Sequence, residues 1–115
     1  MAGSPIAIYG APQIVTDAAT QTFDCTSGGA FSWTLGANRT MSALTNPVDG
    51  QIITIEVTQD ATGSRTVTWP ANFSWATNGT APTLTATAAK TDIIRATYNR
   101  TAGKWRAETL GLNFA

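Results

Sequence analysis

The chain has 115 residues, of which 12% are charged, and its seven basic side chains balance seven acidic ones. Binding along a nucleic-acid backbone or to an anionic membrane surface is not expected, because both need clustered Lys and Arg and the sequence has no basic block. The chain has no histidine, which removes the commonest general base and most zinc sites. We therefore expect one domain that is not an enzyme and uses no cofactor and no metal.

The first 20 residues are predicted to form an extended N-terminal arm. They hold two glycines and two prolines between short apolar runs, a composition unsuited to a helix. Because an isolated arm cannot bury its apolar side chains, we expect it to dock on a neighbouring subunit or another protein. The side chains predicted to make this contact are Ile6, Ile8, Tyr9, Ile14 and Val15. The alternative is that the segment is an edge strand of the domain itself.

Short strands separated by turn residues are predicted after the arm. Residues 31–35 alternate apolar and hydroxyl side chains, which is the period of a half-buried strand. Shorter strands are predicted over residues 22–26 and 39–44. Cys25 is the single cysteine, and we expect a small buried hydrophobe rather than a nucleophile because no histidine is present to activate it.

The clearest pattern spans residues 50–70 and predicts one long β-hairpin. Apolar and polar residues alternate over 53–58, the pattern breaks at a cluster of turn formers over 60–63, and alternation resumes over 65–69. Pro70 would end the pairing because it has no N–H group to donate.

The remaining chain predicts a loop-rich connection over residues 70–83 and a brief strand over 84–88. A further pair of strands is predicted at 90–98 and 104–110. On the outer face of the second strand, Arg106 and Glu108 are two residues apart and could form an ion pair. No segment keeps a 3.6-residue apolar period over three turns, so almost no helix is expected.

This succession of strands and turns indicates an all-β fold, an antiparallel β-sandwich of jelly-roll type over residues 21–115 with the arm at 1–20. Ile52 and Ile94 are expected on the second face of their strands. The predicted core consists of Phe31, Trp33, Leu35, Ile53, Ile55, Val57, Val67, Trp69, Ile93 or Ile94, Tyr98 and Trp105.

Aromatic residues near the 70–83 connection suggest a second possible function. Trp and Tyr side chains on a β surface can stack on sugar rings, and the neighbouring Asn side chains can hydrogen-bond sugar hydroxyls. The predicted glycan contacts are Trp75, Asn78, Tyr98 and Asn99. The alternative is that these rings seal one end of the sandwich.

Several of these segments together resemble a β-rich module of tailed-bacteriophage structural proteins. The similarity rests on GQIITIEVTQDATGSRTVTWP at residues 50–70, Trp75, GTAPTL at 79–84, TDII at 91–94 and Trp105. Such modules commonly form the C-terminal part of tail fibres or of other virion proteins. The resemblance covers about residues 20 to 113 and carries no catalytic residues.

The resemblance implies a virion component made in the host cytoplasm, since the N-terminus lacks the charged-then-apolar order of a signal peptide. Because only a short arm precedes the module, the chain is expected to be a capsid decoration (cement) protein that stabilises the assembled head through its arm and subunit seams. The implied partners are the major capsid protein or other virion subunits, and further copies of the chain, with a trimer favoured. The alternative is a tail-fibre or tail-tip module that recognises host surface glycans.

Overall fold

The computed structural model describes residues 12–76 and 79–115, which form nine β-strands and one short 3₁₀ turn at Cys25–Ser27. The predicted all-β class is confirmed. Ile6, Ile8 and Tyr9 of the predicted arm lie outside the described residues. The strands are β1 (Gln13–Ile14), β2 (Thr20–Gln21), β3 (Ala30–Leu35), β4 (Arg39–Met41), β5 (Ile52–Gln59), β6 (Val67–Thr68), β7 (Phe73–Trp75), β8 (Thr91–Asn99) and β9 (Lys104–Phe114).

The strands form two sheets around one core. The larger sheet has the order β1-β3-β5-β8-β9-β7, and the smaller sheet has the order β2-β4-β6. Inward side chains of both sheets join a single buried cluster, which includes Trp33 from β3, Met41 from β4 and Trp105 from β9. The described domain is therefore two layers over one apolar interior.

Successive strands in the first half of the chain alternate between the two sheets. β1, β3 and β5 lie side by side in the larger sheet, β2, β4 and β6 lie side by side in the smaller one, and each of these neighbouring pairs is parallel. The chain thus coils through three turns, and each turn adds one strand to each sheet. This differs from the antiparallel neighbours of a jelly roll, because turn residues mark where the chain changes direction but do not specify which sheet it enters.

The predicted hairpin over residues 50–70 is wrong for the same reason. β5 pairs with β3 and β8 in the larger sheet, whereas β6 pairs with β4 in the smaller one. β3 and β4, which follow one another along the chain, are likewise divided between the sheets. Of the predicted second strand over 65–69, only Val67 and Thr68 are in a strand.

The antiparallel pair of β8 and β9 is the predicted hairpin that the structure confirms. Arg95 lies opposite Glu108 and Tyr98 opposite Trp105, and the register shifts where Ile93 pairs. β5 joins the other side of β8 in antiparallel fashion, and β7 joins the far side of β9 in parallel. The hairpin therefore connects the coiled first half to β7 in one continuous sheet.

Buried polar side chains fix the long loops that follow β5 and β7. Gln59 Nε2 donates to the carbonyl oxygens of Arg65 and Thr85, each at 2.9 Å. The backbone N–H of Thr85 donates to Asp92 Oδ2 at 2.6 Å. Residues 84–88 are consequently loop, and the brief strand predicted there does not form.

The predicted core is largely confirmed, although Val67, Trp69 and Tyr98 are only partly buried. Ile52 is exposed on the second face, as expected. Ile94 was assigned to that face but is 1% exposed, because β8 pairs it with the inward-facing Ile55. The confirmed core positions are Phe31, Trp33, Leu35, Ile53, Ile55, Val57, Ile94 and Trp105.

The described part of the N-terminal segment contacts the domain. β1 pairs with β3 as an edge strand, which agrees with the alternative to a detached arm. The Val15 N–H donates to the Ser32 carbonyl at 3.0 Å. Val15 packs against the core, whereas Ile14 is 89% exposed. Of these two predicted arm contacts, Ile14 is the one that the fold leaves accessible to a partner.

Asp17 fastens the connection between β1 and β2 to the next turn of the coil. Its carboxylate accepts hydrogen bonds from Trp33 Nε1 and the Gly36 N–H, both at 2.9 Å, and pairs with the Arg39 guanidinium. Partial burial disfavours the charged carboxylate, but the bonds from Arg39, Trp33 and Gly36 outweigh it and lower the pKa of Asp17. The first turn of the coil is therefore held by an ionised side chain.

Candidate functional site

Trp69, Phe73 and Trp75 form an aromatic cluster at the β7 edge of the larger sheet. The Trp75 ring centroid lies 5.2 Å from that of Trp69 and 5.6 Å from that of Phe73, in edge-on contacts. Phe73 and Trp75 are buried, with Trp75 8% exposed. These rings pack inside the domain as the sealing alternative expected, and Trp75 also reaches the surface of a neighbouring groove.

The other three predicted glycan contacts are not gathered beside Trp75. Tyr98 lies on the core side of β8, with its ring 5.0 Å from that of Trp105. Asn99 ends β8, and its side chain accepts a hydrogen bond from the Ala102 N–H in the following turn. Asn78 lies outside the described residues. Of the predicted contacts within residues 12–76 and 79–115, Trp75 lines a concave surface.

We call the concave surface beside this strand the β7 groove, and it has two adjoining compartments. The first has a volume of about 370 Å³ and the second of about 320 Å³, both within the range of small-ligand sites. Trp75, Ala76 and Glu108 line both compartments. The first compartment is completed by Thr80, Ala81, Pro82 and Thr109, and the second by Ser74, Thr97, Arg106 and Ala107.

Two arginines arrange the polar groups of the β7 groove. Arg106 Nη1 donates to Ser74 Oγ at 3.0 Å, across β9 and β7. Arg95 Nε donates to Glu108 Oε2 at 3.0 Å, because these residues are directly opposite in β8 and β9. Glu108 therefore pairs with Arg95 instead of Arg106. Counting register outward from the turn between the two strands would have identified this partner from the sequence.

The groove offers the groups that bind a polyhydroxylated ligand. Glu108 can accept hydrogen bonds from ligand hydroxyls, Arg106 can donate, and Thr80, Thr97 and Thr109 can do both. Trp75 and Pro82 supply apolar surface in the first compartment. This mixture of apolar surface and a few directed polar groups is typical of a binding site.

Cys25 does not form a reactive site. The side chain is buried, as expected, and desolvation together with the nearby Asp24 carboxylate raises the pKa of the thiol to about 11. The thiol is therefore protonated at neutral pH, when it is a weak nucleophile.

The residues described here contain no group of three or more His, Cys, Asp or Glu side chains that could hold a metal ion. Among the same residues, no helix is long and apolar enough to cross a membrane.

Two acidic residues in the segments that carry the phage resemblance hold a loop and two strand ends in place. Asp60 accepts hydrogen bonds from the N–H groups of Thr62 and Gly63 and pairs with Arg65. The Asn113 N–H donates to Asp92 Oδ1 at 2.9 Å, which ties the end of β9 to the start of β8. The motif therefore specifies loops and strand ends rather than chemistry.

The fold is that of a β-rich module with an open groove beside β7. Residues 24–103, which are 80 of the 115 residues, match the family described as "Putative phage tail fibre C-terminal domain". The chain belongs to this family and is a structural module of a phage virion. The match favours the tail-fibre alternative and gives no support to capsid decoration. No curated protein and no solved structure matches the chain.

Proposed function

We propose that the chain is the receptor-binding C-terminal domain of a phage tail fibre and that it recognises glycans of the host surface. The observation that carries this proposal is the family match over residues 24–103. The β7 groove supports it, because it combines apolar surface at Ala81 and Pro82 with hydroxyl, carboxylate and guanidinium groups. The domain acts by binding and catalyses no reaction.

In the proposed complex, the sugar ring and the sugar hydroxyls contact different side chains of the β7 groove. The apolar face of a sugar ring packs on Ala81 and Pro82, while the sugar hydroxyls reach Glu108 and the threonines. A single open groove of this size binds weakly, but a virion presents several copies to the same surface, and their combined avidity exceeds the affinity of one site.

The proposed partners, besides glycans, are other virion subunits and further copies of the chain, with a trimer favoured. Leu110, Leu112 and Phe114 near the end of β9 are each about half exposed, and Ile14 is almost fully exposed. Exposed apolar side chains of this kind are typical of subunit contacts. Analytical ultracentrifugation of the purified chain tests this part of the proposal. A chain that stays monomeric up to about 100 μM, a concentration at which even weak association would be detected, contradicts it.

The experiment for the glycan proposal fills the groove without disturbing the core. Ala76 is exposed and lines both compartments, so Ala76→Trp should occupy the groove. Ala102→Trp is the matched control, because Ala102 is also exposed but lies in the turn between β8 and β9. On an array of host surface polysaccharides, the unmodified domain and Ala102→Trp should bind and Ala76→Trp should not. Absence of binding by the unmodified domain overturns the proposal.

A further inference from the structure

Arg106 is the cation in the β7 groove whose charge is not balanced by a carboxylate among residues 12–76 and 79–115. Arg39 pairs with Asp17, Arg65 with Asp60 and Arg95 with Glu108. Arg106 has instead a neutral hydroxyl partner, Ser74 Oγ, at 3.0 Å. The second compartment therefore contains a guanidinium without an ion-pair partner among the described residues, since Glu108, which lines the same compartment, pairs with Arg95.

The strands hold Arg106 in a defined place. It lies opposite Thr97 of β8 and opposite Ser74 of β7, in the middle of three hydrogen-bonded strands. Both neighbours carry hydroxyl groups and line the same compartment. A guanidinium has five N–H donors in a planar fork, and the Ser74 contact uses one of them. The remaining donors can engage an oxyanion in the bidentate geometry that arginine favours.

Glu108 places a negative charge in the groove, at the boundary of the two compartments. It lines both of them and is held from the β8 side by Arg95. Its carboxylate accepts hydrogen bonds and repels an anion, so it favours neutral hydroxyl groups in its vicinity. The first compartment has no basic residue in its lining, which consists of Trp75, Ala76, Thr80, Ala81, Pro82, Glu108 and Thr109.

We propose that the β7 groove binds an acidic saccharide, with the ligand carboxylate on Arg106 and an adjoining neutral sugar in the first compartment. This inference rests on the proposed glycan-binding function and specifies its ligand class. The second compartment supplies the guanidinium and two hydroxyls for a uronate, and the first supplies the apolar surface of Ala81 and Pro82 for a sugar ring. Glu108 accepts the hydroxyls between them and fixes the order of the two sugars.

The test compares two disaccharides that differ only in the carboxylate. The probes are cellobiose and cellobiouronic acid, with affinity measured by isothermal titration calorimetry at 50 mM and 300 mM NaCl. The unmodified domain should bind the acid at least about tenfold more tightly than the neutral sugar at low salt, and the preference should shrink at high salt. Arg106→Gln should abolish the preference, because the glutamine amide carries no charge to attract the ligand carboxylate. Arg100→Gln removes another exposed arginine, from the turn between β8 and β9, and should keep the preference.

The outcomes separate this inference from the function on which it rests. Equal affinity for both disaccharides, or a preference that survives in Arg106→Gln, overturns the acidic-saccharide proposal but leaves glycan binding in place. Loss of the preference in Arg100→Gln as well as in Arg106→Gln also overturns it, because the effect would then come from overall charge. A domain that binds neither probe and no polysaccharide on the array overturns both proposals. Unchanged thermal unfolding of Arg106→Gln confirms that its loss of preference is not a loss of fold.

Discussion

The side chain of Gln59 holds the backbone of Arg65 at both of its polar groups. Gln59 Nε2 donates to the Arg65 carbonyl and Gln59 Oε1 accepts from the Arg65 N–H, each at 2.9 Å. The amide thus takes the place of a neighbouring strand at the point where the chain leaves the larger sheet for the smaller one. A third bond, to the Thr85 carbonyl, attaches the second long loop to the same side chain.

Replacing this amide should weaken the whole domain. Gln59→Leu keeps a similar volume but leaves three backbone groups without partners, and we expect the free energy of unfolding to fall by about 2–4 kcal/mol. Urea unfolding followed by tryptophan fluorescence measures the loss. Gln13→Leu is the control, since Gln13 is exposed and donates only to the Ser27 carbonyl, and it should cost about 0.5 kcal/mol. Equal losses in the two variants would contradict the structural role of Gln59.

Alanine substitutions at Gly63 and Gly103 should distinguish the cost of backbone strain from the cost of a steric clash. Both have positive φ, at +76° and +67°. A Cβ atom on Gly63 would lie 2.6 Å from the Ala86 carbonyl oxygen, whereas one on Gly103 would have no neighbour within 4 Å. Gly103→Ala should therefore cost only about 1 kcal/mol of strain, and Gly63→Ala roughly 3 kcal/mol or more. Thermal unfolding of both variants checks this difference. Similar melting temperatures would show that the loop of Gly63 does not contact the backbone of Ala86.

Asp17 should make stability depend on acid pH. Its pKa is lowered in the folded state, so its contribution is complete above the ordinary carboxyl pKa of about 3.9 and is lost as the pH falls through the lowered pKa. Asp17→Asn should be less stable than the parent by about 1–3 kcal/mol at pH 7, and the difference should narrow below pH ~4. Urea unfolding at pH 7, 4 and 2.5 measures it. A difference that stays constant over this range would mean that the charge of Asp17 does not stabilise the fold.

Cys25 should be almost inert in the folded protein. With its pKa raised to about 11, the thiolate is scarce at pH 8, and we expect labelling by iodoacetamide to be about 100-fold slower than in urea. Ser27→Cys in a Cys25→Ala background places a thiol at an exposed position two residues away and should react rapidly. Mass spectrometry follows both reactions. Rapid labelling of native Cys25 would contradict its burial.

The parts of the fold that local sequence determines were predictable. The β8–β9 hairpin follows from two alternating segments around a turn at residues 99–103, and its core side chains were assigned from the same period. Ile94 shows the limit of that reasoning. In the run of Ile93 and Ile94 both residues are apolar, and only pairing with Ile55 decides which one faces inward.

The coil of parallel strands depends on contacts that no local pattern encodes. The turn formers after β5 suit a hairpin as well as a crossing to the other sheet. The alternation places Gln59 on the inward face with Val57, but it does not show which backbone groups the buried amide binds. The β7 groove was missed for a related reason. Trp75 and Glu108 are more than 30 positions apart and meet only because β7 pairs in parallel with β9.

The arrangement of the sheets also sets the order in which the chain can fold during synthesis. β5 lies between β3, which precedes it, and β8, which is made about 30 residues later, so its second edge remains open until the C-terminal half has left the ribosome. An open edge of this kind can pair with another nascent chain. The final hairpin forms across a four-residue turn and closes rapidly. Truncations that remove β8 and β9 should therefore aggregate, whereas in the 115-residue chain β8 covers the open edge of β5.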